Sequence, residues 1–273
     1  MTSPFAIATW AKHQLALTAL RSTLDVFEHA GIPVLVVKGM VLAYSLYSDV
    51  ADRPMGDIDL RVRPRDFVRA VRVMRARGLR PLWASRQLGA VSFIVEGTLV
   101  EIETSVGPPG LCTLGVARML ERSCERILPG DLRVREPEIH DHAVVLLVNA
   151  YKDKMVRCPR WSLDDLDAIA ARLDPDSFLA RIAEGRVRTL AWIVADWMAR
   201  ERPSERWRAL RDRIGPQAPR RLYAWVVGRS LRRAPASVPL RALTRLASDS
   251  PLQRAWALAA GGAGSAISWV GGA

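Results

Sequence analysis

The chain has 273 residues, 49% of them apolar and 25% charged, which is typical of a globular protein with one large domain or two modest ones. Its net charge of +12 fits a polyanionic partner such as a nucleic acid, a nucleoside triphosphate or an anionic membrane surface. The arginine bias of a GC-rich genome explains the same charge, because arginine supplies nearly all of it and forms no single tract. Cys112, Cys124 and Cys158 are odd in number and widely spaced, which argues against a disulfide framework or a zinc site and fits a reducing cytoplasm.

The first third of the chain alternates helical and strand patterns. Apolar residues recur at helical spacing over about residues 5–30, and Gly31 and Pro33 end that helix. The β-branched run Val34–Val37 predicts a buried strand. The next predicted elements are a helix at 40–47, a polar loop at 48–54, a strand at 57–62, and a helix from Pro64 to about 77.

A hairpin is predicted over 91–106, with Glu96 and Gly97 at its turn. Gly107 to Gly110 is the strongest linker signal, and no strand pattern is predicted beyond it. Helices are expected at about 138–157, 161–173, 176–184, 187–201, 204–214, 218–233 and 239–260. The predicted fold is therefore α+β: a small mixed sheet with helices over 1–110, then an all-helical domain over 111–273 with a loose tail at 261–273.

The C-terminal end carries no charge after Arg254. It is too rich in glycine to predict a membrane span, so we expect a short helix and a loose tail, with membrane contact as the minor alternative. The N-terminus lacks a basic-then-apolar signal pattern. A cytoplasmic location is expected.

Paired acids form the centre of the functional prediction. Asp57 and Asp59 lie two residues apart in a predicted strand, so both project from one face. Carboxylates held about 6–7 Å apart repel each other unless a cation lies between them, and Mg²⁺ prefers such oxygen ligands. Glu101 and Glu103 share one face of the hairpin strand, so adjacent strands would bring three or four carboxylates together, as phosphoryl transfer requires. Solvated acids at a sheet edge are the alternative.

The order of these elements resembles that of nucleotidyltransferases of the DNA polymerase β-like superfamily. The segment VVKGMVLAYSLYSDVADRPMGDIDLRV is similar to a bacterial group within it, whose members carry Lys-Gly after the first strand and later Arg and Gly-Asp-x-Asp-Leu. The matching positions are Lys38, Gly39, Leu42, Ala43, Tyr47, Arg53, Gly56, Asp57, Asp59 and Leu60. The superfamily at large has Gly-Ser where this chain has Lys38 and Gly39, so a lysine takes the place of the serine that grips triphosphate.

The resemblance implies a role for each of these residues. Asp57, Asp59 and Glu101 would be catalytic and hold the metal, with Glu103 as the alternative third ligand, because the group often carries His at that position. Lys38 and Gly39 would bind triphosphate, while Arg53 would clamp a phosphate oxygen or, alternatively, pair with Asp49 or Asp52. Gly56 would belong to the nucleotide-binding residues and would let the chain turn sharply into the catalytic strand.

A looser resemblance continues to about residue 170. Tyr151, Lys152, Trp161 and Asp165 fall near recurring positions, and Lys152 is a candidate for nucleotide binding, with a solvated basic helix face as the alternative. The pair His140 and His142 begins a predicted helix and is interpreted as capping or packing residues, in preference to a metal site.

The function that this resemblance implies is Mg²⁺- or Mn²⁺-dependent transfer of a nucleoside monophosphate from a triphosphate such as ATP to an acceptor hydroxyl, with release of pyrophosphate. Small molecules, tRNA and protein side chains are all candidate acceptors. The alternative is a catalytically inactive module of the same fold that binds nucleic acid or a protein partner.

Overall fold

The computed structural model describes residues 4–86, 88–108, 110–154, 160–215, 220–230 and 243–262. Its strands are β1 Val34–Val37, β2 Asp57–Val62, β3 Pro81–Ser85, β4 Ala90–Val95, β5 Thr98–Glu103, β6 Cys124–Leu128 and β7 Leu132–Glu136. Its α-helices are α1 Pro4–His29, α2 Gly39–Ser45, α3 Phe67–Ala76, α4 Val116–Arg122, α5 Ile139–Asn149, α6 Arg160–Ala170, α7 Pro175–Glu184, α8 Arg188–Glu201, α9 Glu205–Ile214, α10 Arg221–Ser230 and α11 Pro251–Gly262. The predicted combination of a small mixed sheet with a helical C-terminal region is confirmed.

The first five strands form one sheet in the order β1-β2-β5-β4-β3. The central pair, β2 and β5, is parallel, and the other neighbouring pairs are antiparallel. Alternation along the strands gives the sheet two different faces. One face, called here the apolar face, presents side chains such as Ile58, Leu60 and Val100, which are buried in one cluster with side chains of α1 and α3.

The opposite face, called here the charged face, carries Asp57, Asp59, Arg61, Glu101 and Glu103, because these residues alternate with the apolar ones on β2 and β5. Beside them on β1, the apolar side chains Leu35 and Val37 belong to a second apolar cluster that includes much of α5 and α8. The charged residues therefore lie on the side of the sheet that is continuous with the helical region. That position sets up the candidate site.

The expectation that strands end at residue 110 is wrong. Strands β6 and β7 form an antiparallel hairpin, and Leu128, Leu132 and Val134 of that hairpin are buried in the same cluster as the apolar face. Its turn residues Gly130 and Asp131 both have positive φ, which Gly and Asp tolerate well. Elements β3 and α4 were not predicted either. The domain division at residue 110 stays a prediction.

The long helix expected at 239–260 is also wrong in the described part. The chain forms a 3₁₀ turn at Arg245–Ala247, leaves helical geometry at Ser248, and starts α11 at Pro251, whose ring suits a first helical position. Most of the tail predicted at 261–273, from residue 263 onwards, lies outside the described residues, as does Cys158. Among the described residues, no helix has the length and apolar content needed to cross a membrane.

Candidate active site

Three carboxylates occupy neighbouring positions on the charged face. The parallel register places Asp59 of β2 directly beside Glu101 of β5, and Asp57 beside Leu99. Asp59 is only 3% exposed, whereas Asp57 and Glu101 are half-buried. Adjacent residues in paired strands lie about 5 Å apart at their Cα atoms, so the carboxyl groups interact strongly.

The neighbouring carboxylates change the pKa of Glu101. Burial and the negative charges of Asp59, Glu103 and Asp57 raise it to about 7. The pKa of Asp59 moves the other way: although burial opposes its charge, Lys38 and then Arg61 hold it below the usual value. The site therefore contains an ionised acid next to one that can exchange a proton near neutral pH.

Lys38 supplies the cation closest to Asp59. Its Nζ lies 2.5 Å from Asp59 Oδ1 and donates a hydrogen bond to it. Burial disfavours the charged amine, but the charges of Asp59 and Glu103 outweigh it and raise the pKa of Lys38. The backbone at Lys38 has φ 57° and ψ −136°, an unusual conformation for a residue other than glycine.

His142 holds that strained backbone in place. Its Nε2 accepts a 2.9 Å hydrogen bond from the backbone N–H of Lys38. Burial lowers the pKa of His142 to about 3, which keeps the ring neutral and able to accept. The other histidine, His140, contacts Glu138 and accepts from the backbone N–H of Asp174. Both residues therefore pack and form hydrogen bonds within the protein, in agreement with the sequence interpretation.

Arg61 is the charged-face residue that sequence analysis missed. It lies two residues after Asp59, so the same alternation could have placed it there. Its side chain is 1% exposed, Nη2 lies 2.5 Å from Glu103 Oε2, and Nη1 lies 4.0 Å from Asp59 Oδ1. Glu103 is therefore engaged as the partner of a buried arginine, whereas Glu101 is the acid that adjoins Asp59.

Lys152 approaches the site from the helical region. Helix α5, predicted to reach 157, ends at Asn149 and gives way at Ala150–Lys154 to a π-helical turn, a distortion that is frequent at functional sites. Residues 155–157 lie outside the described residues. Lys152 is half-buried in this turn and contributes to lowering the pKa of Asp59, which places its charge near the carboxylates.

Three other predicted site residues have contacts that differ from the expected ones. Arg53 is buried and pairs with Asp165, and not with Asp49, Asp52 or an exposed phosphate position. Gly39 lies against Arg53, where a Cβ would come 3.3 Å from both terminal guanidinium nitrogens. Gly56 lies at a bend just before β2, but it is exposed, has no positive φ, and a Cβ there would meet nothing within 4 Å, so this bend does not require glycine.

The chemistry of the acids fits a hard divalent cation, which prefers carboxylate oxygens. In the described part of the chain, however, no group of three or more acid, histidine or cysteine side chains is already arranged around a metal position. Asp57, Asp59 and Glu101 match such an ion in ligand type and share one face of β2 and β5, and the Lys38 ammonium contacts one oxygen of Asp59.

Comparison with protein families settles the class of the chain. A family described as uncharacterised nucleotidyltransferase matches residues 6–201, a span that contains all seven strands and the helices from α1, apart from its first two residues, to α8. The chain belongs to this nucleotidyltransferase family. The predicted membership, based on Lys38-Gly39 and Gly56-Asp57-x-Asp59-Leu60, is thus confirmed.

Two solved structures similar to this nucleotidyltransferase are of the antibiotic-resistance factor ANT(2″)-Ia. Its solution structure has a TM-score of 0.45 and 13% identity, over 64% of this chain and 91% of that one. Its crystal structure in complex with adenylyl-2″-tobramycin has a TM-score of 0.42 and 16% identity, over 62% and 95% of the two chains. No curated protein sequence matches this chain.

Proposed function

We propose that this nucleotidyltransferase moves a nucleoside monophosphate from a triphosphate to an acceptor hydroxyl in a reaction that requires Mg²⁺ or Mn²⁺. The observation that supports it is the register of β2 and β5, which sets Asp59 beside Glu101 with Asp57 on the same face. Two lysines from different segments, Lys38 and Lys152, add positive charge at that point. Phosphate-transfer sites need this combination of carboxylates and cations.

Asp57 and Asp59 are the proposed ligands of the ion, and Glu101 is the proposed third carboxylate. When bound, the ion would neutralise phosphate charge. Lys38 would move from Asp59 to the triphosphate, and Lys152 would face the same phosphates from the helical side. The exposed Gly56, with open space where a side chain would be, leaves room beside Asp57 for the nucleotide.

The protein groups then account for the proton. The acceptor oxygen forms a bond to the α-phosphorus while the bond from that phosphorus to the bridging oxygen of pyrophosphate breaks. The proton of the acceptor hydroxyl passes to Glu101, whose pKa of about 7 suits a base at neutral pH.

The test uses purified protein with Mg²⁺ and labelled ATP, CTP, GTP or UTP in the presence of cell extract. We expect pyrophosphate release and labelling of an extract component by the wild type. Asp57→Asn should lower the rate by about a thousandfold, the equivalent of several kcal/mol of lost charge stabilisation. Asp52→Asn is the matched control, because Asp52 is exposed outside the sheet. Undiminished turnover in Asp57→Asn would contradict the assignment.

The acceptor is proposed to be a small-molecule hydroxyl, and fractionation of the labelled extract tests this. Label in the low-mass fraction supports it, and tobramycin is a ready first compound because ANT(2″)-Ia was crystallised with its adenylyl derivative. Label in the tRNA or protein fraction would replace the small molecule as acceptor.

A catalytically inactive module that binds nucleic acid would behave differently. It would show salt-sensitive RNA affinity, with no rise in melting temperature on adding nucleotide and Mg²⁺ together. The proposed enzyme should show that rise, since the ligands bind only the folded state.

A further inference from the structure

We propose that Arg53 is a positioning residue and not a phosphate ligand: with Tyr47, Trp161 and Asp165 it forms an interlock that fixes the Lys38–Gly39 turn against the helical region. This inference rests on the proposed function, because the turn carries the lysine assigned to triphosphate. These four residues, called here the interlock, lie on the segment before β2, on the segment after α2, and on α6.

Each of the three nitrogens of the Arg53 guanidinium donates at least one hydrogen bond. Its Nε donates to Asp165 Oδ1 at 2.8 Å and to Oδ2 at 3.1 Å, and Nη2 donates to Oδ2 at 2.8 Å. Nη1 donates to the backbone oxygen of Pro54, and the guanidinium carbon lies 4.2 Å from the centroid of the Trp161 ring. Arg53 is 4% exposed and Asp165 is 3% exposed, so both charges are removed from water and depend on each other.

The remaining contacts link the interlock to the rest of the sheet domain. The Tyr47 hydroxyl donates to Asp165 Oδ1 at 2.6 Å, and the backbone oxygen of Arg53 contacts His13 Nε2 of α1 at 2.9 Å. Burial and then the charge of Asp165 raise the pKa of Tyr47, which keeps its proton available for this bond. Helix α6 is thereby joined to α1, to the end of α2 and to the segment that leads into β2.

The link to the active site runs through Gly39. A Cβ at Gly39 would come 3.3 Å from Nη1 and Nη2 of Arg53, so the glycine allows the guanidinium to pack directly on the turn. The adjacent Lys38 already has a strained backbone that needs external support. His142 supports it from one side through its ring, and Arg53 lies against the next residue. Loss of the interlock should therefore misplace the Lys38 ammonium without removing any group that contacts phosphate.

The decisive experiment compares three proteins: Asp165→Asn, Arg53→Met and the double variant. For each one, kcat and the KM for the nucleotide are measured separately. A misplaced turn should lower kcat/KM about a hundredfold in each single variant, and the double variant should be no worse. If Arg53 instead bound phosphate, Arg53→Met would raise the KM, whereas Asp165→Asn would free the guanidinium and leave the KM unchanged or lower. That second pattern would overturn the proposal.

A milder pair of variants guards against loss of folding. Tyr47→Phe removes one hydrogen bond from Asp165, and we expect about a tenfold loss of kcat/KM with the fold intact. Tyr44→Phe is the matched control on the neighbouring helix α2, because the Tyr44 hydroxyl has no hydrogen-bond partner among the described residues. Equal kinetics for Tyr47→Phe and Tyr44→Phe, with both proteins folded, would count against the interlock.

Hydrogen exchange separates this proposal from the proposed function. In the free protein, without nucleotide, Tyr47→Phe and Asp165→Asn should speed amide exchange at residues 38–42 relative to Tyr44→Phe. If the wild type turns over no triphosphate, the proposed function is wrong. Faster amide exchange at residues 38–42 in the variants would still support the interlock. Unchanged exchange at 38–42 in the folded variants would overturn the interlock even in an active enzyme.

Discussion

The two faces of the five-stranded sheet are built from the same strands, but they depend on different kinds of interaction. On β2, Ile58 and Leu60 lie fully buried against other apolar side chains. Each makes many weak contacts, so no single partner decides its contribution to stability. One residue away, Asp59 and Arg61 are buried nearly as deeply but rely on a few named partners. Such a face can be lost through a single substitution, because an unpaired buried charge costs more than a missing methyl group.

The difference explains why one strand can specify both fold and chemistry. Alternation keeps the apolar residues in one layer, so the charges on the other side are free to serve the site without weakening the core. Substitutions on the apolar face should therefore change the free energy of unfolding and spare turnover. Substitutions on the charged face should lower turnover, and where they leave a buried charge unpaired they should lower the free energy of unfolding as well.

The largest effect is expected at the third carboxylate. Glu101→Gln should lower kcat by about a thousandfold, since the group beside Asp59 can no longer carry charge or accept a proton. Glu103→Gln should lower it about tenfold or less, because Glu103 is proposed to act only as the partner of Arg61. Steady-state pyrophosphate release measures both. The reverse order would make Glu103 the functional acid.

A core substitution should reverse that pattern. Leu60→Ala on the apolar face should lower the free energy of unfolding by about 3 kcal/mol, through lost burial and a residual cavity. Urea unfolding measures it, and Leu82→Ala is the control, because Leu82 is 64% exposed on the edge strand β3. The folded fraction of Leu60→Ala should keep the wild-type kcat. A large loss of kcat would mean that the two faces are not independent.

Sequence analysis could foresee this two-faced strand because strand alternation is a local rule. The pattern at residues 57–62 and the hairpin at 91–106 predicted β2, β4 and β5 closely, and the family that the sequence motif predicted is confirmed. The hairpin of β6 and β7 was missed although CERIL and LRVRE alternate around a Pro-Gly-Asp turn. Alternating arginine and glutamate give a weak strand signal, so the Pro-Gly-Asp turn is the feature that could have revealed this hairpin.

Long-range partners were beyond the reach of the sequence. Nothing near Arg53 in the chain indicates that Asp165, 112 residues later, receives its guanidinium, and the nearer acids Asp49 and Asp52 were the obvious candidates. The hydrogen bond from the Lys38 backbone N–H to His142 likewise joins residues 104 positions apart in the chain. Such contacts depend on how the helical region packs, which no single-sequence pattern encodes.

The buried histidine gives a pH-dependent test of the charged face. The pKa of His142 is about 3 when folded and about 6.5 when unfolded, so below pH 6.5 the unfolded chain binds a proton that the folded chain does not. The contribution of neutral His142 to the free energy of unfolding is fully present above pH 6.5 and is lower by about 2 kcal/mol at pH 5. His142→Gln, which keeps an acceptor for the Lys38 amide, should show a shallower loss in urea unfolding. His29→Gln, at an exposed position on α1, should follow the wild type.

The smallest effect concerns competition between Lys38 and a metal ion. In the free protein the Lys38 ammonium donates a hydrogen bond to the Asp59 carboxylate. A metal ion that binds this carboxylate must displace the ammonium and is repelled by its positive charge. Lys38→Met should therefore bind Mn²⁺ about tenfold more tightly without nucleotide, a difference of about 1.4 kcal/mol. It should also bind the triphosphate more weakly, because the charge that neutralises phosphate is gone. Electron paramagnetic resonance of free Mn²⁺ measures the first quantity, with Lys12→Met as the exposed-lysine control. Weaker Mn²⁺ binding by Lys38→Met than by the wild type would mean that Lys38 supports the carboxylates as metal ligands and does not compete for them.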